Sequence, residues 1–216
     1  MHTEGNDLSV SISNFKKFKL VILGDQSVGK SCIISRYVYD SFDPNSNPTI
    51  GVDFVVKSVY SGDNTYKIHF WDTAGQERFQ SLIPSYIKDC QVAILVYDIT
   101  SRKSFDNLTK WYNSIQNERG DDIILGILGN KMDLPNREVM TEEGLKKAEG
   151  WKALFQECSA KTGENVSAFF KLVLDMLIKT TDDAADANDI HKDNDLISNI
   201  NKKNSAGSNG EGRRCC

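Results

Sequence analysis

Gly24-Asp25-Gln26-Ser27-Val28-Gly29-Lys30-Ser31 sits between an apolar run, Phe18 to Leu23, and a stretch from Cys32 to Val38 that reads as helix. Strand, glycine-bearing turn and helix, in that order, are the context in which the pattern G-x-x-x-x-G-K-[ST] holds phosphate. Gly24 and Gly29 let the backbone turn tightly, so that successive N–H groups along Asp25, Gln26, Ser27 and Val28 point inward at a phosphate chain. The helix start adds unpaired N–H groups and the positive end of its dipole. Lys30 reaches the outer phosphates as a point charge, and the Ser31 hydroxyl suits a Mg²⁺ ion.

Outward from this stretch, strand-like and helix-like segments alternate. Lys16 to Leu23 reads as a first strand, with a continuous apolar end that implies burial on both faces. Residues 29–39 read as helix, and 40–47, polar and carrying Pro44, as a surface loop. Val52 to Tyr60 and Tyr66 to Trp71 are strands joined by the hairpin signal Ser61-Gly62-Asp63-Asn64. Val92 to Tyr97, Ile123 to Leu128 and Leu154 to Cys158 are further strands. Phe105, Leu108, Trp111, Tyr112 and Ile115 recur at helical spacing, as do Val166, Phe169, Phe170, Val173 and Leu177. The expectation is an α/β fold of about six mostly parallel strands with helices on both faces. Ligands then lie beyond the carboxyl ends of the strands.

The totals narrow the class. A chain of 216 residues accommodates one domain with an appendage. A net charge of −4 argues against broad binding to nucleic acid, which needs a basic face. No apolar run is long enough to span a membrane, and the polar first twenty residues lack a signal-peptide core, so a cytosolic chain is expected. Cys32, Cys90 and Cys158 each sit beside apolar residues and read as reduced core thiols.

Three more motifs fall at strand ends. In Trp71-Asp72-Thr73-Ala74-Gly75-Gln76 the aspartate can hold a Mg²⁺-bound water, Gly75 lets its N–H approach a terminal phosphate, and Gln76 can orient an attacking water. In Asn130-Lys131-Met132-Asp133 the Asp133 carboxylate matches the N1–H and 2-amino donors of guanine, while the Lys131 stem can lie over the base. Adenine would leave that charge unpaired, a mismatch worth about 10⁴-fold or more in a site built on hydrogen bonds. Ser159-Ala160-Lys161 follows the last strand, where backbone N–H groups can meet the guanine carbonyl.

GDQSVGKS, the lone threonine of Pro48-Thr49-Ile50-Gly51, WDTAGQE, NKMD and SAK together resemble the Ras superfamily of small GTPases, over about residues 16–178. Ile50-Gly51-Val52-Asp53-Phe54, WDTAGQERF and Tyr97-Asp98-Ile99-Thr100 are similar to Rab sequences in particular, and the stretch Ser81 to Asp89 most resembles their Golgi-associated branch. The resemblance implies the P-loop small-GTPase fold, GTP and GDP as substrate and product, and Mg²⁺ as cofactor. It implies that Thr49 supplies a hydroxyl to Mg²⁺ and an N–H to the γ-phosphate. It further implies that the Cys32 N–H meets the α-phosphate, that Phe42 packs on guanine, and that Gln76 is the catalytic residue. Phe54, Trp71 and Tyr86 resemble the aromatic triad read by Rab effectors; taken as sequence alone, they read as core. Implied partners are an exchange factor, a GTPase-activating protein, Rab effectors, a GDP-dissociation inhibitor and the prenylation machinery, acting on a monomer. Gln26 stands where relatives often carry glycine, so its side chain would crowd Gln76 and slow intrinsic hydrolysis. Ser46 stands where many carry a tyrosine that covers the phosphates. Apart from Arg78, which in the family points elsewhere, no arginine lies in the phosphate-facing loops.

Residues 1–15 read as a flexible start, 16–178 as the GTPase domain, and 179–216 as a disordered tail rich in Asn, Asp, Ser and Gly. The tail ends Arg213-Arg214-Cys215-Cys216, and the resemblance implies two geranylgeranyl groups there. One lipid holds weakly and two hold stably, so the chain is expected reversibly on the cytosolic face of Golgi or endosomal membranes. A nucleotide-bound scaffold with negligible hydrolysis is the alternative; a P-loop kinase or ATPase conflicts with Asp133, and a nuclear transport GTPase with the terminal cysteines.

Overall fold

The computed structural model describes residues 15–62, 64–75 and 81–181. The expectations placed on residues 1–14, Gln76, Arg78, Cys215, Cys216 and the tail beyond 181 lie outside the described residues. By its contacts the chain divides into Met1–Val173 and Leu174–Cys216. In the second unit the described residues 174–181 are helical.

The first unit contains β1 (Phe15–Leu23), α1 (Lys30–Tyr39), β2 (Val52–Ser61), β3 (Asn64–Thr73), α2 (Ile83–Ile87) and β4 (Val92–Asp98). These are followed by α3 (Arg102–Asp106), α4 (Leu108–Arg119), β5 (Ile124–Asn130), α5 (Thr141–Gly150) and β6 (Leu154–Glu157). Residues 166–173 form a last helix, α6. The six strands lie in the order β2-β3-β1-β4-β5-β6. Every pairing is parallel except β2 with β3, which runs antiparallel from Val52 opposite Thr73 to Ser61 opposite Asn64. The sheet is therefore six-stranded and mostly parallel, as the alternation of segments implies.

Alternating side chains divide the core between the two faces of the sheet. Val21, Leu23, Ala93, Leu95, Tyr97, Leu125 and Ile127 join Ile83 and Ile87 of α2, Leu108, Trp111 and Ile115 of α4, and Ala148 of α5. On the other face Phe169 of α6 stands over Gly126, where a Cβ would come 2.7 Å from its ring. Tyr37 of α1 and Phe170 stack there at 4.1 Å, beside Phe70. β4 is buried along its whole length, which is why it reads as an unbroken apolar run.

The apolar spacing around 105–115 reads as one helix, yet the structure makes two, α3 and α4, on either side of Asn107. Ser101 caps the first through its side chain, which accepts from the Ser104 N–H. Helix α2 is a single short turn that buries Ile83 and Ile87, whereas α5 carries no apolar repeat of its own. α5 packs instead through Gly144 and Ala148, small residues that leave little hydrophobic signal.

Candidate functional site

Four strand ends bring their loops to one rim, and a cavity of about 370 Å³ opens there. Gly29, Lys30, Ser31, Thr49 and Gly75 line it, together with Phe42, Asn130, Lys131, Asp133 and Ala160. Gln26, Ser27, Cys32, Ser46 and Lys161 also border it. Segments separated by more than a hundred residues thus meet as the motifs require.

The loop after β1 turns where its glycines permit. Gly24 has φ 147°, and a Cβ there would collide with the Val96 carbonyl of β4. Gly29, at φ 95°, is the N-cap of α1, and a Cβ would collide with the Asn130 amide. The Lys30 ammonium folds back over the turn, donating to the carbonyls of Gly24 at 2.9 Å and Asp25 at 2.8 Å. Burial pulls its pKa down to about 8, against the raising pull of the Asp72 and Asp25 charges. A buried cation held by two neutral carbonyls is under-neutralised, which is the electrostatic preparation a phosphate needs. The Asp25 carboxylate turns away from the cavity and accepts from Asn107 Nδ2 at 2.6 Å and Trp111 Nε1 at 2.9 Å. That bond pins the turn to α4, a role the motif alone does not display. Gly75 packs so closely on the same turn that a Cβ would collide with the Asp25 carbonyl and the Gln26 nitrogen.

One step behind the wall, Asp72 collects two hydroxyls. Ser31 Oγ donates to Asp72 Oδ2 at 2.5 Å and Thr49 Oγ1 to the same oxygen at 3.1 Å, while the two hydroxyls stand 2.8 Å apart. Three close contacts are served by two hydroxyl protons, and among the described residues buried Asp72 Oδ1 has no hydrogen-bond partner. Burial raises the pKa of this carboxyl; Ser31, Lys30 and Thr49 pull it back. Convergent hard oxygens with an orphaned carboxylate atom fit Mg²⁺, which prefers such ligands and keeps several waters. The group would supply positive charge to a phosphate chain there, with Ser31 and Thr49 as ligands and Asp72 holding a bound water.

At the opposite end Asn130 braces three loops. Its Nδ2 donates to the Val28 carbonyl at 2.9 Å, and its Oδ1 accepts from the Ala160 N–H at 3.1 Å. The Ala160 N–H, expected to face a guanine carbonyl, is therefore occupied within the protein. Asp133 is fixed by Ser159, whose buried hydroxyl donates to Oδ1 at 2.6 Å; Lys161 Nζ stands 3.8 Å from Oδ2. Lys131 has φ 69°, and its ammonium pairs with Asp98 Oδ2 at 2.6 Å, so the stem is held along the cavity. Phe42 and Leu134 add apolar wall.

Cys90 and Cys158 are buried free thiols, and burial pushes their pKa up to about 11 and about 12. Cys32 departs from its reading as a core thiol: it is half-buried, borders the cavity, and lies 3.8 Å from Ser46 Oγ. Its place on the first turn of α1 explains the difference.

Phe54 and Trp71 face each other across β2 and β3 with ring centroids 4.5 Å apart, edge to face, and Tyr86 of α2 lies 5.8 Å from Trp71. Phe54 is 56 % exposed, whereas Trp71 and Tyr86 are half-buried against the core. Lys19 Nζ stands 3.8 Å over the Trp71 ring.

Sequence reasoning missed Arg36, Asp98, Asn107, Trp111 and Leu134. Only Leu134 borders the cavity; the other four hold side chains or loops that do, and pairing across the fold leaves no local motif.

Comparison with protein families matches residues 19–179 to the Ras family. With these motifs gathered on one rim and most of the sequence matched, the chain belongs to the Ras family of small GTPases, which switch between GTP and GDP with Mg²⁺.

Proposed function

We propose that this chain is a Rab-type switch that recruits effectors to Golgi or endosomal membranes and so regulates vesicle trafficking. The observation that carries the reading is the contiguous Phe54–Trp71–Tyr86 surface beside the nucleotide cavity. The Rab-like stretches and the terminal Cys215-Cys216 pair support it. Loops 40–51 and 72–82, the second partly outside the described residues, respond in this reading to the γ-phosphate, so each nucleotide state presents a different surface to partners.

In this reading Lys30 and the backbone of 24–31 hold the phosphates, Ser31, Thr49 and Asp72 hold the cation, and Asp133 selects guanine. Gln76 orients the attacking water. No arginine of this chain is assigned to the developing charge. An arginine supplied by an activating partner, worth about 10³–10⁵-fold in such enzymes, completes the site. An exchange factor reloads it, and a GDP-dissociation inhibitor shields the two lipids in the cytosol. Gln26 on the cavity wall favours a second reading, a nucleotide-bound scaffold with negligible hydrolysis.

Single-turnover hydrolysis by the full chain, alone and with an activating protein, decides between the two. Slow turnover that the partner accelerates supports the switch; no turnover in either case supports the scaffold. The membrane arm is tested by replacing Cys215 and Cys216 with serine before prenylation and floating the product on vesicles. A double variant that still floats would refute lipid anchoring.

A further inference from the structure

The end of α1 and the loop after β6 are joined by one side chain. Arg36 donates from Nε to the Ala160 carbonyl at 3.0 Å and from Nη2 to the Lys161 carbonyl at 2.9 Å. Its Nη1 reaches back to the carbonyl and the carboxylate of Asp40, each at 2.9 Å. Four acceptors on one planar group use the fork of a guanidinium, and the side chain is only 17 % exposed.

The loop it grips is otherwise closed on itself. The Ser159 N–H donates to the Glu164 carbonyl, the Gly163 N–H to the Ser159 carbonyl, and the Thr162 N–H to Ser159 Oγ. Those bonds use neither the Ala160 nor the Lys161 carbonyl, the two that Arg36 takes. Gly163, at φ 85°, reverses the chain against the arginine stem, where a Cβ would come 3.4 Å from Arg36 Cδ. The same short loop carries the Ser159 hydroxyl that fixes Asp133 and the Ala160 N–H held by Asn130.

We propose that Arg36 is a positioning residue for base selection: it sets the 159–161 loop, and through Ser159 the carboxylate that reads the purine edge. The proposal rests on the reading of Asp133 as the guanine-recognising group. Arg36 also ties that loop to Asp40, where loop 40–51 begins, so one guanidinium spans the base end and the switch end of the site.

The test compares release of ribose-labelled fluorescent GDP and inosine diphosphate from the full chain, wild type against Arg36→Ala and Arg36→Lys, with ADP as a further ligand. Inosine diphosphate keeps the carbonyl and N1–H of guanine but lacks the 2-amino donor. The wild type should hold GDP longer than inosine diphosphate. Arg36→Ala should release GDP about tenfold faster, the loss of one charge-assisted contact set, and narrow the preference between the two bases. Arg36→Lys should narrow it as well, because an ammonium lacks the planar fork that reaches both carbonyls and Asp40 at once, and it carries the comparison if the alanine variant does not fold. Equal acceleration of both nucleotides, as from a general loss of stability, overturns the proposal, as does no acceleration. A wild-type chain that holds ADP as firmly as GDP overturns the reading of Asp133, and this proposal with it.

Discussion

A lysine buried against two carbonyls loses part of its preference for charge, and in Lys30 that preference is pulled down to about 8 by burial. The depressed value means that the folded, unliganded chain carries a penalty below pH 8 that is relieved as pH rises toward the ordinary lysine value. A phosphate chain reverses this, because it keeps the ammonium protonated. Affinity for GDP should therefore fall as pH rises above about 8, approaching tenfold per unit, and binding near pH 9 should take up a proton. Calorimetry in buffers of different ionisation enthalpy measures that uptake; no uptake would place Lys30 away from the phosphates. At this scale much of the site was legible, because Lys30, Ser31, Asp72 and Asp133 carry chemistry in short, rigidly spaced motifs. Arg36, Asp98 and Asn107 were not. Each acts through a partner many residues away, as in the Lys131–Asp98 and Asn107–Asp25 pairs, and spacing along the chain records nothing of that.

Among the elements, α5 shows how a helix packs with little apolar surface. Gly144 lies against β6 and β4: a Cβ there would come 2.5 Å from Phe155 Cζ and 2.8 Å from Tyr97 Oη. An exposed helical glycine is improved by alanine by about 1 kcal/mol. Here the close approach reverses the sign, and Gly144→Ala should cost about 1–3 kcal/mol by overpacking, read as a lower urea midpoint. A stabilised variant would show that α5 can lift from the sheet at no cost. The same packing explains why α5 escaped the sequence reading. Its contact is made by glycine and alanine, and its lone large apolar residue, Leu145, is exposed. The strands were legible for the opposite reason, since burial on both faces leaves continuous apolar runs such as Val92–Tyr97. The break at Asn107 was hidden because the apolar spacing continues across it and the residue itself keeps right-handed helical φ and ψ.

For the molecule as a whole, the site buries charge, Lys30 at one wall and Asp72 behind it, that a bound phosphate and cation would offset. Removing Mg²⁺ by chelation should speed nucleotide release and lower the thermal midpoint of the GDP-loaded chain. The expected shift is about 2–4 °C per kcal/mol of lost binding for a chain of this size. A midpoint indifferent to the chelator would mean that Ser31, Thr49 and Asp72 hold no cation. The amide of Asn130 has a further consequence. It joins the Val28 carbonyl, early in the chain, to the Ala160 N–H, more than a hundred residues later. During synthesis a nascent chain carries its phosphate loop long before that bridge can close. The base end of the site is therefore incomplete until residues 159–161 have emerged.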